Sequence, residues 1–169
     1  MLKWDFMIKD EFEEIYKLYV NEILRFCLSR VSDREIAKDL TQETFVRFWN
    51  HVSVGKPVDN SRVFIYTVAR NAIIDHYRKK KTQSLDALSE GGFDPAGDSP
   101  SPDLSTDYRL ALEAIAKLPD NYRDIVYMRL VEDLSPSEIA PLVGLPENTV
   151  SVRLYRGMDK LRAMFNQNP

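Results

Sequence analysis

Residues 82–107, TQSLDALSEGGFDPAGDSPSPDLSTD, constrain the fold more than any other part of this 169-residue chain. They hold half of the glycines (Gly91, Gly92, Gly97) together with Pro95, Pro100 and Pro102, and their few apolar residues follow no period. Such a segment buries too little surface to offset the entropy of ordering it. It reads as a flexible acidic linker, so the chain reads as two small domains, residues 1–81 and residues 108–169. The linker also decides the charge. It carries a net −6, whereas residues 1–81 carry +3 and residues 108–169 carry 0, for a total of −3.

Both domains read as all-α, with no strand pattern in either. In residues 10–30, Phe12, Ile15, Leu18, Tyr19, Ile23, Phe26 and Cys27 recur at three- and four-residue spacings, the mark of an amphipathic helix. A second helix is expected after Ser32, with Glu35 three positions on completing a capping box, and it runs to about Trp49. Its apolar face comprises Ile36, Ala37, Leu40, Phe45, Phe48 and Trp49. The stretch His51–Asn60 contains Gly55-Lys56-Pro57 and reads as a loop. A third helix covers Ser61–Lys81.

The second domain reads as four short helices. The first spans Thr106–Leu118 and stops at Pro119; the second spans about Asn121–Val131. Ser135-Pro136-Ser137-Glu138 is a clear start for the third: a serine cap, a proline in the first turn, and a glutamate that reaches back. Gly144 ends it, and a turn through Leu145-Pro146 leads into the last helix, about Glu147–Phe165. A short capped helix, a glycine turn and a longer helix describe a helix-turn-helix. On the last helix Val150, Leu154, Leu161 and Phe165 face inward. Asn148, Thr149, Ser151, Val152, Tyr155 and Arg156 face outward, where Arg, Asn and Ser suit base edges and Val suits a thymine methyl. Arg153 and Lys160 reach toward phosphates. An ordinary helical hairpin would show the same pattern.

The third helix of the first domain, SRVFIYTVARNAIIDHYRKKK, has Ile65, Val68, Ala69, Ala72 and Ile73 on one side. The other side carries Arg62, Tyr66, Arg70, Asn71, Ile74, Tyr77 and Arg78. Residues 60–81 hold six basic groups against Asp75 alone, the strongest local positive charge in the chain. Cations interleaved with rings suit single-stranded DNA, since phosphates take the charge and unpaired bases stack. A solvated basic helix end, favoured by the helix dipole, is the plainer alternative. On the second helix Asp39, Gln42, Glu43 and Val46 line the side away from the apolar face, which by itself is an ordinary solvated stripe.

No catalytic constellation is apparent. His51 and His76 lie far apart without cysteine or carboxylate at metal spacing, and no glycine-rich phosphate loop exists. Cys27 stands alone among Ile23, Leu24, Phe26 and Leu28 and reads as a small buried hydrophobe. Neither an enzyme activity nor a metal or cofactor is expected. The N-terminal residues do not read as a signal peptide, no apolar run is long enough to span a bilayer, and a cytoplasmic location is expected.

Three blocks, in order, resemble those of extracytoplasmic-function (ECF) sigma factors of bacterial RNA polymerase: AKDLTQETFVRFW, VFIYTVARNAIIDHYRKKK, and LPDNYRDIVYMRLVEDLSPSEIAPLVGLPENTVSVRLYRGMDKLR. The resemblance implies that residues 1–81 are region two, binding core polymerase and the −10 element. It implies that 82–107 are the linker and 108–169 are region four, reading the −35 element. It carries Asp39, Gln42, Glu43 and Phe45 onto the clamp helices of the largest polymerase subunit. It carries Asn60, Arg62, Arg70, Asn71 and Arg78 onto −10 DNA and strand opening. It carries Thr149, Ser151, Val152, Arg153, Tyr155 and Arg156 onto −35 DNA. Core polymerase and promoter DNA are then the partners, and an anti-sigma factor, often membrane-bound, is a further one in many members. Three departures stand out: Pro146 replaces a common capping serine, Ser151 stands where a basic residue is frequent, and Pro141 falls inside a short helix. The competing reading is a helix-turn-helix regulator that acts without polymerase core. The polar stripe at Gln42-Glu43 argues against it, because such a regulator has no use for that face.

Overall fold

In the computed structural model, residues 2–31, 33–83 and 106–166 are described, with side chains for 9–31, 33–80 and 106–166. These residues form seven helices and, among them, no strand: α1 (Leu2–Leu28), α2 (Arg34–Ser53), α3 (Ser61–Gln83), α4 (Thr106–Ala116), α5 (Asp120–Leu130), α6 (Pro136–Val143) and α7 (Glu147–Asn166). The chain divides into two compact units, Met1–Gly92 and Phe93–Pro169. Most of the expected linker, residues 84–105, lies outside the described residues. Its two ends are helical: α3 continues through Gln83 and α4 already begins at Thr106. Both extensions suit the helix dipole, with cations late in α3 and Asp107 in the first turn of α4.

In the first unit α1, α2 and α3 all pack on one another around Ile23, Phe26, Cys27, Ala37, Leu40, Phe45, Phe48, Ile65, Ala69, Ala72 and Ile73. A row of rings joins α1 to α2: Phe12 lies 5.0 Å from Trp49, and Tyr16 lies 4.8 Å edge-on to Phe45. Thr41 and Thr44 are buried as well, which apolar spacing alone does not reveal. Their hydroxyls donate to the carbonyls of Ala37 and Leu40 at 2.7 Å, so burial leaves no donor unsatisfied. Leu18, expected inward, is 63% exposed: Phe12 and Tyr16 before it and Ile23 after it meet the packed side, and Leu18 falls on the uncovered side of α1. The cap of α2 is Asp33 and not Ser32: its carboxylate accepts from the Glu35 and Ile36 N–H groups at 2.9 and 3.0 Å. A carboxylate also answers the positive end of the helix dipole, which a hydroxyl does not.

In the second unit α4, α5 and α7 enclose Leu112, Ala114, Ile115, Leu118, Val126, Tyr127 and Leu161, with Leu154, Met158 and Met164 at the margin. The start of α6 forms as its sequence dictates. Ser135 Oγ accepts from the Glu138 N–H at 3.3 Å, and Glu138 Oε2 accepts from the Ser135 N–H at 2.9 Å. Gly144 closes α6 at φ +67°, a left-handed conformation that glycine adopts without a Cβ penalty. The turn then seats α7 with no side-chain cap from Pro146. Its carbonyl accepts from Thr149 and Val150 N–H at 2.9 and 3.0 Å, so α7 starts in the expected place despite the missing serine. Pro141 sits on the exposed side of α6, so the hydrogen bond it forgoes faces water. Phe165 is 47% exposed and not inward; Met164, one residue earlier, takes the inward position. Ser135→Ala should cost about 1 kcal/mol through loss of the reciprocal cap. Urea unfolding followed by circular dichroism measures it, and an unchanged midpoint would contradict the role.

Candidate functional site

The second helix separates its residues cleanly. Leu40, Thr41, Thr44 and Phe45 are buried, while Asp39, Gln42, Glu43 and Val46 are exposed on the opposite side. Phe45 therefore leaves the surface to which it was assigned. It is 3% exposed and packs edge-on to Tyr16, beneath the stripe. Glu43 accepts from Arg47 Nη2 at 2.5 Å, and the same guanidinium nitrogen lies 3.9 Å from Asp75 Oδ2 of α3. A notch of about 250 Å³ opens between α2 and α3 beside Asp39, Glu43, Asp75 and Lys79.

Asn60 immediately precedes the third helix; its Oδ1 accepts from the Val63 N–H at 3.0 Å and its carbonyl accepts from the Phe64 N–H. Asn60 is thus the helix cap as well as an exposed polar group. Asn71 and Arg78 are exposed and Arg70 is half-buried. Arg78 pairs with Asp75 Oδ1 at 3.1 Å. Arg62 is less available than its position on the helix suggests. It pairs with Glu22 of α1 at 3.5 Å and lies over the Tyr66 ring, 6.0 Å from its centroid.

The interleaved rings expected to stack on bases are placed differently. Tyr66 is fully buried, edge-on to Phe26 at 5.0 Å, and its hydroxyl donates to Glu22 at 3.3 Å. The Tyr77 hydroxyl donates to the Arg30 carbonyl, fastening α3 to the turn after α1, and burial pushes its phenol pKa up. Both rings serve the domain. The outward face of α3 keeps Asn71, Ile74, Arg78, Lys79 and Lys80.

On α7, Ser151, Val152, Tyr155 and Arg156 are exposed, and Thr149 and Arg153 are half-buried. Val152 and Tyr155 are 50% and 67% exposed. Asp159, the nearest acidic candidate to hold Arg156, pairs instead with Arg162 at 3.2 Å. Lys160 lies over the Tyr122 ring at 5.8 Å, within its own domain. On the packed side, Gly157 lets α7 approach α5. A Cβ there would fall 2.6 Å from Val126 Cγ2 and 3.2 Å from Tyr122 Cβ. Sequence periodicity did not single this residue out, although a lone glycine inside a helical pattern is a signal of close packing. Glu22 and Arg47 were also missed: Glu22 engages Arg62 and Tyr66 of α3, and Arg47, besides Glu43 on its own helix, reaches Asp75 of α3.

One unit thus carries a polar stripe beside a basic helix, and the other displays a helix-turn-helix. The comparisons specify the class. The family described as Sigma-70 region 2 matches residues 15–83, and Sigma-70 region 4 matches residues 108–161. The ECF RNA polymerase sigma factor SigM of Bacillus subtilis is 33% identical over 159 residues, which is 92% of this chain and 95% of that protein. SigW of the same organism is 29% identical over 168 residues, covering 91% and 88%. Among solved structures, the sigma factor RpoE from Bartonella quintana, in complex with the anti-sigma factor NepR, aligns with TM-score 0.73 at 20% identity over 94% of this chain and 99% of that one. CnrH, in complex with the cytosolic domain of CnrY, aligns with TM-score 0.65 at 19% identity over 95% and 91%. The chain belongs to the ECF RNA polymerase sigma factors. It directs promoter-specific transcription by binding core polymerase and promoter DNA, and the reading as a regulator acting without core is disfavoured. None of its described helices is long and apolar enough to cross a membrane.

Proposed function

We propose that Asp39, Gln42 and Glu43 dock on a basic surface of core polymerase, the clamp helices of its largest subunit, with Phe45 holding the stripe in shape from beneath. The observation that carries this reading is the exposure of all three on α2 while the intervening Leu40 and Thr41 are buried. Asn60, Arg70, Asn71 and Arg78 are the proposed −10 contacts, with Arg62 contributing only from its site beside Glu22. Thr149, Ser151, Val152, Tyr155 and Arg156 are the proposed base-reading face for the −35 element, and Arg153 is a backbone contact. The proposed division of labour is residues 1–81 and residues 108–169, tethered by 82–107; the matched spans 15–83 and 108–161 support it. The proposed setting is the cytoplasm, with no catalytic role. An anti-sigma factor, as RpoE of Bartonella quintana has in NepR, is a proposed further partner.

The docking surface is tested by Glu43→Lys. Charges at the rim of an interface act mainly on association rate and are screened by salt. The variant should bind core several-fold more slowly at low salt, with the difference shrinking as salt rises and with an unchanged circular dichroism spectrum. Stopped-flow association with core polymerase across a salt series measures this. Wild-type rates at every salt concentration would overturn the assignment.

A further inference from the structure

We propose that Glu22 is a positioning residue that makes Arg62 discriminate among −10 strands instead of gripping any phosphate. The inference rests on the reading of Arg62 as a −10 contact. One carboxylate oxygen of α1 serves two residues of α3: Glu22 Oε2 lies 3.5 Å from Arg62 Nη2 and accepts from the Tyr66 hydroxyl at 3.3 Å. Tyr66 is fully buried and packs edge-on to Phe26 of α1 at 5.0 Å, so its hydroxyl is a fixed point. The guanidinium also lies over the Tyr66 ring, 6.0 Å from its centroid. Rigidity therefore passes from the core to Tyr66, from Tyr66 to the carboxylate, and from the carboxylate to Arg62. The last two reach the surface, with the side chains of Glu22 and Arg62 28% and 23% exposed.

Arg62 stands in the first turn of α3, two residues after the Asn60 cap. The helix dipole opposes a cation there, and α3 has no acidic residue in that turn to offset it. Glu22, brought by α1, supplies the missing anion. Its charge has two consequences for DNA. It cancels that of Arg62, so this end of the helix attracts phosphates little, whatever their sequence. It also fixes the direction of a planar guanidinium, and direction is what separates one base edge from another. The two ends of α3 thus differ. Lys79 and Lys80 are exposed and suit the phosphates of any strand, whereas Arg62 is neutralised and oriented.

The test uses holoenzyme assembled from the full chain and core polymerase. Two probes are compared: a 20-nucleotide oligothymidylate, and the strand that wild-type holoenzyme selects from a random pool of the same length. The quantities read are the affinity for oligothymidylate and the ratio of the two affinities. DNA contacts made by core itself are common to every variant and cancel in the comparison. Glu22→Gln keeps the size and an acceptor for Tyr66 but removes the charge. It should bind oligothymidylate about two- to fivefold more tightly at low salt, with a slope of log affinity against log salt steeper by about 0.7. Its ratio should fall at least about fivefold, because the contact to the preferred base loses its direction. A fold defect would weaken both probes equally, and simple relief of repulsion would tighten both equally; an unchanged ratio of either kind overturns the proposal. Arg62→Gln should lower the ratio as well, and Glu22→Gln in that background should lower it no further, so additive losses also overturn it. Should Glu22→Gln fail to fold, Tyr66→Phe is read instead. It removes a hydroxyl and no charge, so oligothymidylate affinity stays at the wild-type value while the ratio falls at least about twofold. A wild-type ratio there overturns the idea. The underlying reading is judged by Arg62→Gln alone. A wild-type ratio in that variant removes Arg62 from the −10 face, whereas a lowered ratio there with a wild-type ratio in Glu22→Gln removes only the positioning role of Glu22.

Discussion

Gly157→Val is expected to unfold the second unit at temperatures where the first remains intact. The Cβ alone would stand 2.6 Å from Val126 Cγ2 and 3.2 Å from Tyr122 Cβ, and valine adds two methyl groups to that overlap. Val126 is fully buried and, being β-branched, has little rotamer freedom with which to retreat. Tyr122 presents its Cβ, an atom that moves only with its backbone. The overlap must therefore push α7 away from α5, opening the core around Val126, Tyr127 and Leu161. Overpacking of this kind costs about 1–3 kcal/mol, and the small gain in helix propensity over glycine does not offset it. For a unit of this size the loss corresponds to a Tm lower by roughly 10 °C. Gly157→Ala should lose less, because its single methyl group is smaller and its helix propensity higher.

The two units can be followed separately. Both tryptophans, Trp4 and Trp49, lie in the first unit, so fluorescence reports that unit while far-ultraviolet circular dichroism reports both. The expected result is an early loss of ellipticity with an unshifted tryptophan transition. Wild-type melting by both probes would contradict the close approach of α5 and α7 at Gly157.

Arg156→Ala and Arg153→Ala should differ in kind when bound to a library of −35 sequences. Arg156 is exposed beside Val152 and Tyr155, on the side of α7 away from the core. If it forms a bidentate contact to a guanine, its loss costs about 1–3 kcal/mol on the preferred sequence and flattens discrimination at that base. Arg153 is half-buried, off the fully exposed face, and is the proposed contact to the DNA backbone. Its loss should weaken all sequences about equally and reduce the slope of log affinity against log salt by about one. Binding at two salt concentrations separates the outcomes. Uniform loss from Arg156→Ala, with altered base preference from Arg153→Ala, would mean that the recognition face is rotated about α7. No effect from either would remove this surface from DNA reading.

The elements of this protein are written locally. Ser135 and Glu138 lie three residues apart and bond to each other, Gly144 takes the left-handed turn it alone takes cheaply, and Asp33 caps the helix it precedes. Each of these interactions closes within a few residues, so sequence spacing places Ser135, Glu138 and Gly144, and at α2 it falls one residue short, on Ser32 instead of Asp33. Periodicity also places Asp39, Gln42 and Glu43 outward on α2 and Ser151, Val152, Tyr155 and Arg156 outward on α7, because the angle around a helix follows from residue number.

What periodicity cannot supply is which neighbour occupies a given direction. Tyr66 and Arg62 fall on the side of α3 opposite its apolar residues, yet α1 covers that side and engages both through Glu22. Tyr77 is drawn to the Arg30 carbonyl, Lys160 to the Tyr122 ring, and Phe45 into the cluster around Tyr16. Gly157 matters only because Val126 stands against it. The sequence by itself determined the helices, their caps and their polar faces, since those depend on bonds and angles within one segment. The tertiary structure alone decided which polar groups remain for a partner, because that depends on side chains tens of residues away, whose positions are fixed only when the helices pack.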